Sequence, residues 1–188
     1  MTGPADALAR IRRFGDPVLE RRCEPVRFDR MDDRGRRDLA AEADAMLVTI
    51  RAFRARHGWG RAIAAPQVGL PLRLVALAID GRETVLVNPE IAWRSRSVSE
   101  IWDDCMSLPE IAVRVPRHDA VTVRYQDLDG AEHAFERTPF DLSELLQHEI
   151  DHLDGVLMTH RMAPNSPIVA RENRAAADSS RSKKKDDP

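Results

Sequence analysis

The chain has 188 residues, with 29 Lys and Arg against 31 Asp and Glu and a formal net charge of −2. That length suits one domain with a real core, and the near-balance of charge excludes an overall electrostatic pull toward DNA or an anionic membrane. No stretch approaches the roughly 18–20 apolar residues of a membrane span, and two cysteines are too few for a disulfide framework. The opening MTGPAD has no basic region followed by an apolar run. A monomeric, cytoplasmic protein that binds neither DNA nor membrane is the expectation.

Asp16-Pro17 reads as an N-cap with proline at the first helical position, opening a short helix over 18–22. Over 36–57 the apolar residues Leu39, Ala43, Met46, Leu47, Ile50 and Phe53 recur at helical spacing, and Gly58 suits the residue just past the end. This first long helix should lay its stripe on a sheet. Residues 60–69 (GRAIAAPQVG) are small, apolar and punctuated by Gly and Pro, which predicts a tightly packed loop or edge segment. A strand is expected over 72–79, a hairpin turn at Asp80-Gly81, and a return strand over 84–88. Residues 120–125 put Val121, Val123 and Tyr125 on one face, and after a turn at 127–130 the chain should return over 131–136.

A second long helix is expected from Asp141, with Glu144 three residues on in a capping-box arrangement. Leu142, Leu146, Ile150 and Leu153 fall on one apolar face, Leu145, His148 and His152 on another, and Gly155 should end the helix. Several strands with two long helices that do not alternate regularly predict an α+β fold. The chain turns polar after about Met162, so the expected organisation is a catalytic domain over 1–165 and a polar, disordered tail over 166–188.

The chemistry sits on the second helix. His148-Glu149-Ile150-Asp151-His152 matches H-E-x-x-H, a pattern that this composition would produce roughly 0.01 times by chance. Two His at i and i+4 project to one side and can hold one ion. The Glu between them can take a proton from water without being a ligand, which is the arrangement of a metal-dependent hydrolase. Three residues compete for the third ligand position. Glu172 has the spacing of a zinc endopeptidase but stands in the polar tail beyond Pro164 and Pro167. In H-E-x-x-H-x-x-G-x-x-H, Met158 occupies the third His position. Cys105, upstream, offers a thiolate suited to iron or zinc.

Three segments resemble the signature motifs of the peptide deformylases. The family's G-x-G-L-A-A-x-Q-V-G is similar to GRAIAAPQVG at 60–69, its E-G-C-L-S to Asp103-Asp104-Cys105-Met106-Ser107, and its Q-H-E-x-D-H-L-x-G to residues 147–155 at every fixed position. The resemblance implies a deformylase-like fold, with antiparallel sheets packed around the helix that bears H-E-x-x-H. It also implies that Cys105, His148 and His152 bind the metal, Fe(2+) for preference, with Zn(2+), Ni(2+) or Co(2+) as substitutes. Glu149 would then be the general base and later acid, with the Gln67 amide and the Met106 backbone N–H stabilising the oxyanion. The implied substrates are N-formylmethionyl peptides and nascent chains, met in transient contact with the ribosome, and the implied products are formate and a free amino terminus. A zinc endopeptidase using Glu172, or a weakly active deformylase-like protein that binds peptides, is the alternative.

Besides the conservative Ile63 and Met106 for Leu, four departures from the family pattern bear on the site. Ala62 replaces the second Gly of the first motif, which should narrow the site. Asp103 replaces Glu, and Asp104 places a charge beside the cysteine where the family has Gly. Ala112 stands where an arginine often contacts substrate, and Arg114 is a candidate replacement. Of the remaining residues, Cys23 is expected to pack, His57, His118, His133 and His160 to lie at the surface or in turns, and Trp59, Trp93 and Trp102 to belong to the core. Lysines 183–185 are followed directly by Asp186 and Asp187 and read as a solvated tail.

Overall fold

In the computed structural model, which describes residues 4–175 and 177, a short helix, α1 (Pro4–Ala9), precedes the long helix α2 (Asp33–His57). Between them Asp16 accepts a bond from the Val18 N–H and opens the expected turn, a 3-10 helix over Pro17–Glu20. The start of α2 lies three residues before the apolar periodicity, because Asp32 caps it by accepting the Gly35 N–H at 2.8 Å. Gly58, at φ 76°, closes it in the left-handed conformation.

Five antiparallel strands form the larger sheet: β1 (Ala62–Ala64), β2 (Leu74–Ile79), β3 (Arg82–Arg94), β6 (Val121–Gln126) and β7 (Glu132–Phe135), in that spatial order. Its β2 is apolar throughout because both faces are covered. Leu74, Ala76 and Ala78 join the stripe of α2 in one core cluster. Val75 and Leu77 point the other way, into a second cluster with Leu145, Leu146, Ile150 and Leu153 of the helix α3 (Phe140–Leu153). Each of the buried Val, Leu and Ile side chains contributes about 1.5–3 kcal/mol. The return strand β3 runs well beyond the expected 84–88. It survives Pro89 by bulging there: Asn88 takes φ 52°, and its side chain bonds both Val26 N–H and Val26 C=O.

The smaller sheet, β4-β5-β8, was not anticipated. Its hairpin of β4 (Val98–Cys105) and β5 (Leu108–His118) carries acids, arginines and two prolines, which hide the alternation that marks a strand. Its third strand, β8 (Ile168–Ala170), pairs with Ile111, Ala112 and Val113 of β5. Residues 168–173, inside the expected tail, form a strand and a 3-10 turn, because the sheet edge satisfies backbone groups that a polar segment could not bury alone. Residues 178–188 of the expected tail lie outside the described residues.

Helix α3 also starts differently from expectation. Pro139 is its N-cap, with no side-chain capping bond, and Asp141 lies inside the first turn. Glu144 pairs with Arg61 of the 60–69 segment instead of reaching back to a cap. Gln147 fastens the helix to the end of β5 by bonding both the N–H and C=O of His118. At the far end Gly155, at φ 72°, passes so close to Glu20 that an added Cβ would stand 2.6 Å from its carbonyl oxygen. The α+β expectation is borne out, and among the described residues no helix is long and apolar enough to cross a membrane.

Candidate metal centre

Cys105 closes β4, next to a register shift between Asp103 and Cys105 and ahead of the two-residue turn Met106-Ser107. That irregularity turns its side chain toward α3. Sγ stands 3.2 Å from His152 Nε2. With His148 the three ligand atoms lie within 4.8 Å of one another, all on buried residues, and no second cluster of this kind occurs among the described residues. The sulfur also receives the Ser107 N–H and the Gln67 Nε2, each at 3.4 Å.

His148 is oriented by buried charge. Nδ1 of His148 lies 2.8 Å from Asp103 Oδ1, which leaves the other ring nitrogen for the cluster. Asp103 Oδ2 accepts from Arg117 at 2.7 Å, Arg117 donates to Asp151 at 2.5 Å, and Asp151 accepts from Arg161 at 2.8 Å. Burial by itself would raise the Asp103 carboxyl, but the His148 and Arg117 charges facing it hold it well below the usual carboxylate range. A shorter acid at position 103 therefore still reaches both partners. Burial pushes Glu149 up to about 7, helped by Asp103 and Glu144 and opposed by His148. Its Oε2, like His152 Nδ1, is buried without a hydrogen-bond partner among the described residues. One thiolate and two imidazoles converging beside an unpartnered carboxylate oxygen fit a borderline-soft divalent transition metal.

Gln67, in the 3-10 turn Ala65–Val68, is held from behind, since its Oε1 accepts the Ala64 N–H at 2.8 Å. Its Nε2 faces Cys105 and Ser107. Met106, buried on the hairpin turn, borders the same cavity of about 440 Å³ as Gln67, Cys105, His148 and Glu149, while His152 lies behind them. The six residues singled out in the sequence thus come together from three separate segments. Glu172 does not join them; it is exposed on the 3-10 turn after β8.

A model of the family described as polypeptide deformylase matches residues 8–167. The chain belongs to that family. The peptide deformylase of Thermotoga neapolitana is 35% identical over 166 residues, which span 87% of this chain and 92% of the relative. That of Chloroflexus aurantiacus is 35% identical over 182 residues, 86% and 91% of the two chains. Among solved structures, the deformylase of Thermotoga maritima superposes with a TM-score of 0.71 at 32% identity, covering 82% of this chain and 97% of its own. That of Synechococcus elongatus, in complex with actinonin, gives 0.72 at 30% identity, with 82% and 79% covered.

Within this deformylase fold the departures from the family motifs acquire locations. Ala62 is buried in the cluster facing α3 and also borders the cavity. Ala112 is fully buried and pairs with Val169 of β8, away from the cavity. Arg114 does not reach the cavity either; it lies over the Trp102 ring at 4.6 Å. The arginines that border the cavity are Arg54, Arg61, Arg171 and Arg174. No sequence signal singled them out, because they come from α2, the 60–69 segment and the far end of the chain. The tryptophans meet the expectation only in part, with Trp59 packed against the core cluster of α2. Trp59 and Trp102 border the cavity, and Trp93 is 37% exposed with Arg137 over its ring.

Proposed function

We propose that this chain hydrolyses the formyl amide of N-formylmethionyl peptides, including newly made polypeptides, releasing formate and a free amino terminus. The observation that carries the reading is the convergence of Cys105, His148 and His152 beside the unpartnered Oε2 of Glu149 at the floor of one cavity. In this reading those three residues hold the metal, Fe(2+) for preference, with Zn(2+), Ni(2+) or Co(2+) as substitutes. When bound, the ion supplies Lewis acidity, which acidifies water and polarises the formyl group.

The chain's own groups do the rest. Glu149 Oε2 takes a proton as the water oxygen bonds to the formyl carbon, then delivers it to the amide nitrogen as the C–N bond breaks. A carboxyl raised to about 7 is suited to both halves of that transfer near neutral pH. Gln67 Nε2 and the Met106 backbone N–H donate to the developing oxyanion, and one such donor is worth roughly 3 kcal/mol. Asp103 and Arg117 keep His148 in position, so the ligand set does not reorganise during turnover. The family resemblance further carries a cytoplasmic monomer that meets the ribosome transiently.

The test is anaerobic purification with metal analysis, followed by formate release from formyl-Met-Ala peptides. About one ion per chain together with formate release is expected. Bound metal without formate release would leave a peptide-binding relative and end the deformylase reading.

A further inference from the structure

Two arginines from the far end of the chain converge on Asp104, the residue that stands beside Cys105 where the family motif has glycine. Arg171 Nε and Arg174 Nη1 both donate to its Oδ2, at 2.8 and 2.7 Å. Neither forms another ion pair among the described residues, so one carboxylate answers two guanidinium groups. Arg171 also lies over the Trp59 ring at 4.0 Å, and so joins the connection after α2 to β4, two elements that border the cavity. Stacking on an indole holds the guanidinium flat and limits its rotamers.

The other charges around the cavity are matched differently. Arg61 is paired with Glu144. Asp103 is answered by Arg117 and His148. Arg54 gives its donors to the carbonyls of Gly60 and Ala78, and forms no ion pair among the described residues. Glu149 also lines the cavity without an ion pair, but it stands at the floor beside the ligand atoms; at the mouth the surplus charge is positive, and it resides on Arg54, Arg171 and Arg174.

We propose that this rim recognises a carboxylate side chain shortly after the formylmethionine, so that peptides beginning formyl-Met-Glu or formyl-Met-Asp are preferred over those with Lys or Arg there. Planar guanidinium groups with open N–H edges suit a carboxylate. The side chains of Arg171 and Arg174 are 22% and 43% exposed, so solvent screens them and the preference is modest. The inference rests on the deformylase reading and names part of its substrate class.

The test compares kcat/KM for formyl-Met-Glu-Ala-amide, formyl-Met-Ala-Ala-amide and formyl-Met-Lys-Ala-amide. The amidated ends exclude a chain-end carboxylate as the recognised anion. The Glu peptide should exceed the Lys peptide by about tenfold at low salt, a gap that shrinks at about 0.5 M salt. Asp104→Asn, which removes the competing carboxylate, should widen the ratio. The R171Q/R174Q pair should bring it toward one, and R54Q, at an exposed position outside the clasp, should lower it even if the double variant folds poorly. Equal rates for Glu and Lys peptides in the wild type, or a ratio that none of these variants moves, would overturn the proposal. Absence of formate from every peptide would instead strike the deformylase reading. Calorimetric binding of Met-Glu-Ala-amide and Met-Lys-Ala-amide then decides the rim by itself: tighter binding of the Glu peptide supports it, and equal affinity overturns it.

Discussion

The floor and the rim of one cavity solve the same problem, placing charge beside a reaction, under opposite conditions. At the floor, Asp103 and Arg117 are 4% and 3% exposed at their side chains, so each needs its partner to compensate lost hydration. At the rim, Asp104 and Arg174 are 19% and 43% exposed, so water can replace either one. Losing a partner at the floor therefore costs more than losing one at the rim. The acid at position 104 is met by two arginines that follow β8, a strand of the same sheet as β4.

The largest effect that would test this contrast lies on Glu149. E149Q should lower kcat for formate release by about a thousandfold while metal content stays unchanged, because the amide keeps the shape but cannot take a proton. Retained activity would place the base elsewhere.

D103N comes next. It leaves Arg117 with one buried partner fewer and His148 without its anion. Unfolding in urea should shift by about 3 kcal/mol, and metal affinity should fall roughly tenfold to a hundredfold. A variant as stable as the wild type would show that the floor is no more demanding than the rim.

A pH profile reads the same burial. Because the Glu149 carboxyl is raised to about 7, it holds its proton below that pH and cannot act as base there. The expected acid limb of kcat/KM bends near 7, falling about tenfold for each unit below it. A limb near the ordinary carboxylate range would show that Glu149 is better solvated than its burial implies.

The smallest effect belongs to the rim. D104N should cost less than about 1 kcal/mol of stability, and the cost should shrink in high salt. A loss comparable with that of D103N would erase the distinction between the two regions.

Much of the floor was legible. His148, Glu149 and His152 declare themselves because a helix fixes their spacing, and Gln67 and Cys105 because short motifs around them resemble a known family. The strand that carries Cys105 was not legible. Its Trp102, Asp103 and Asp104 all border the site, so their polarity breaks the apolar alternation by which strands are recognised. The tryptophans were only partly legible for a related reason: Trp59 and Trp102 share a residue type with core positions, but both border the cavity and each carries an arginine over its ring.

By itself the amino-acid sequence determined α2, the β2–β3 hairpin and the helix with its two imidazoles, since periodicity, caps and a two-residue turn act over a few residues. Only the tertiary structure decided that Arg117 answers Asp103, that residues 168–170 complete a sheet, and that Arg171 reaches Asp104 across 67 positions of chain. The physical reason is that the strength of a charge pair is set by burial and by which partner is near. Both are properties of the folded molecule, not of any local stretch of sequence.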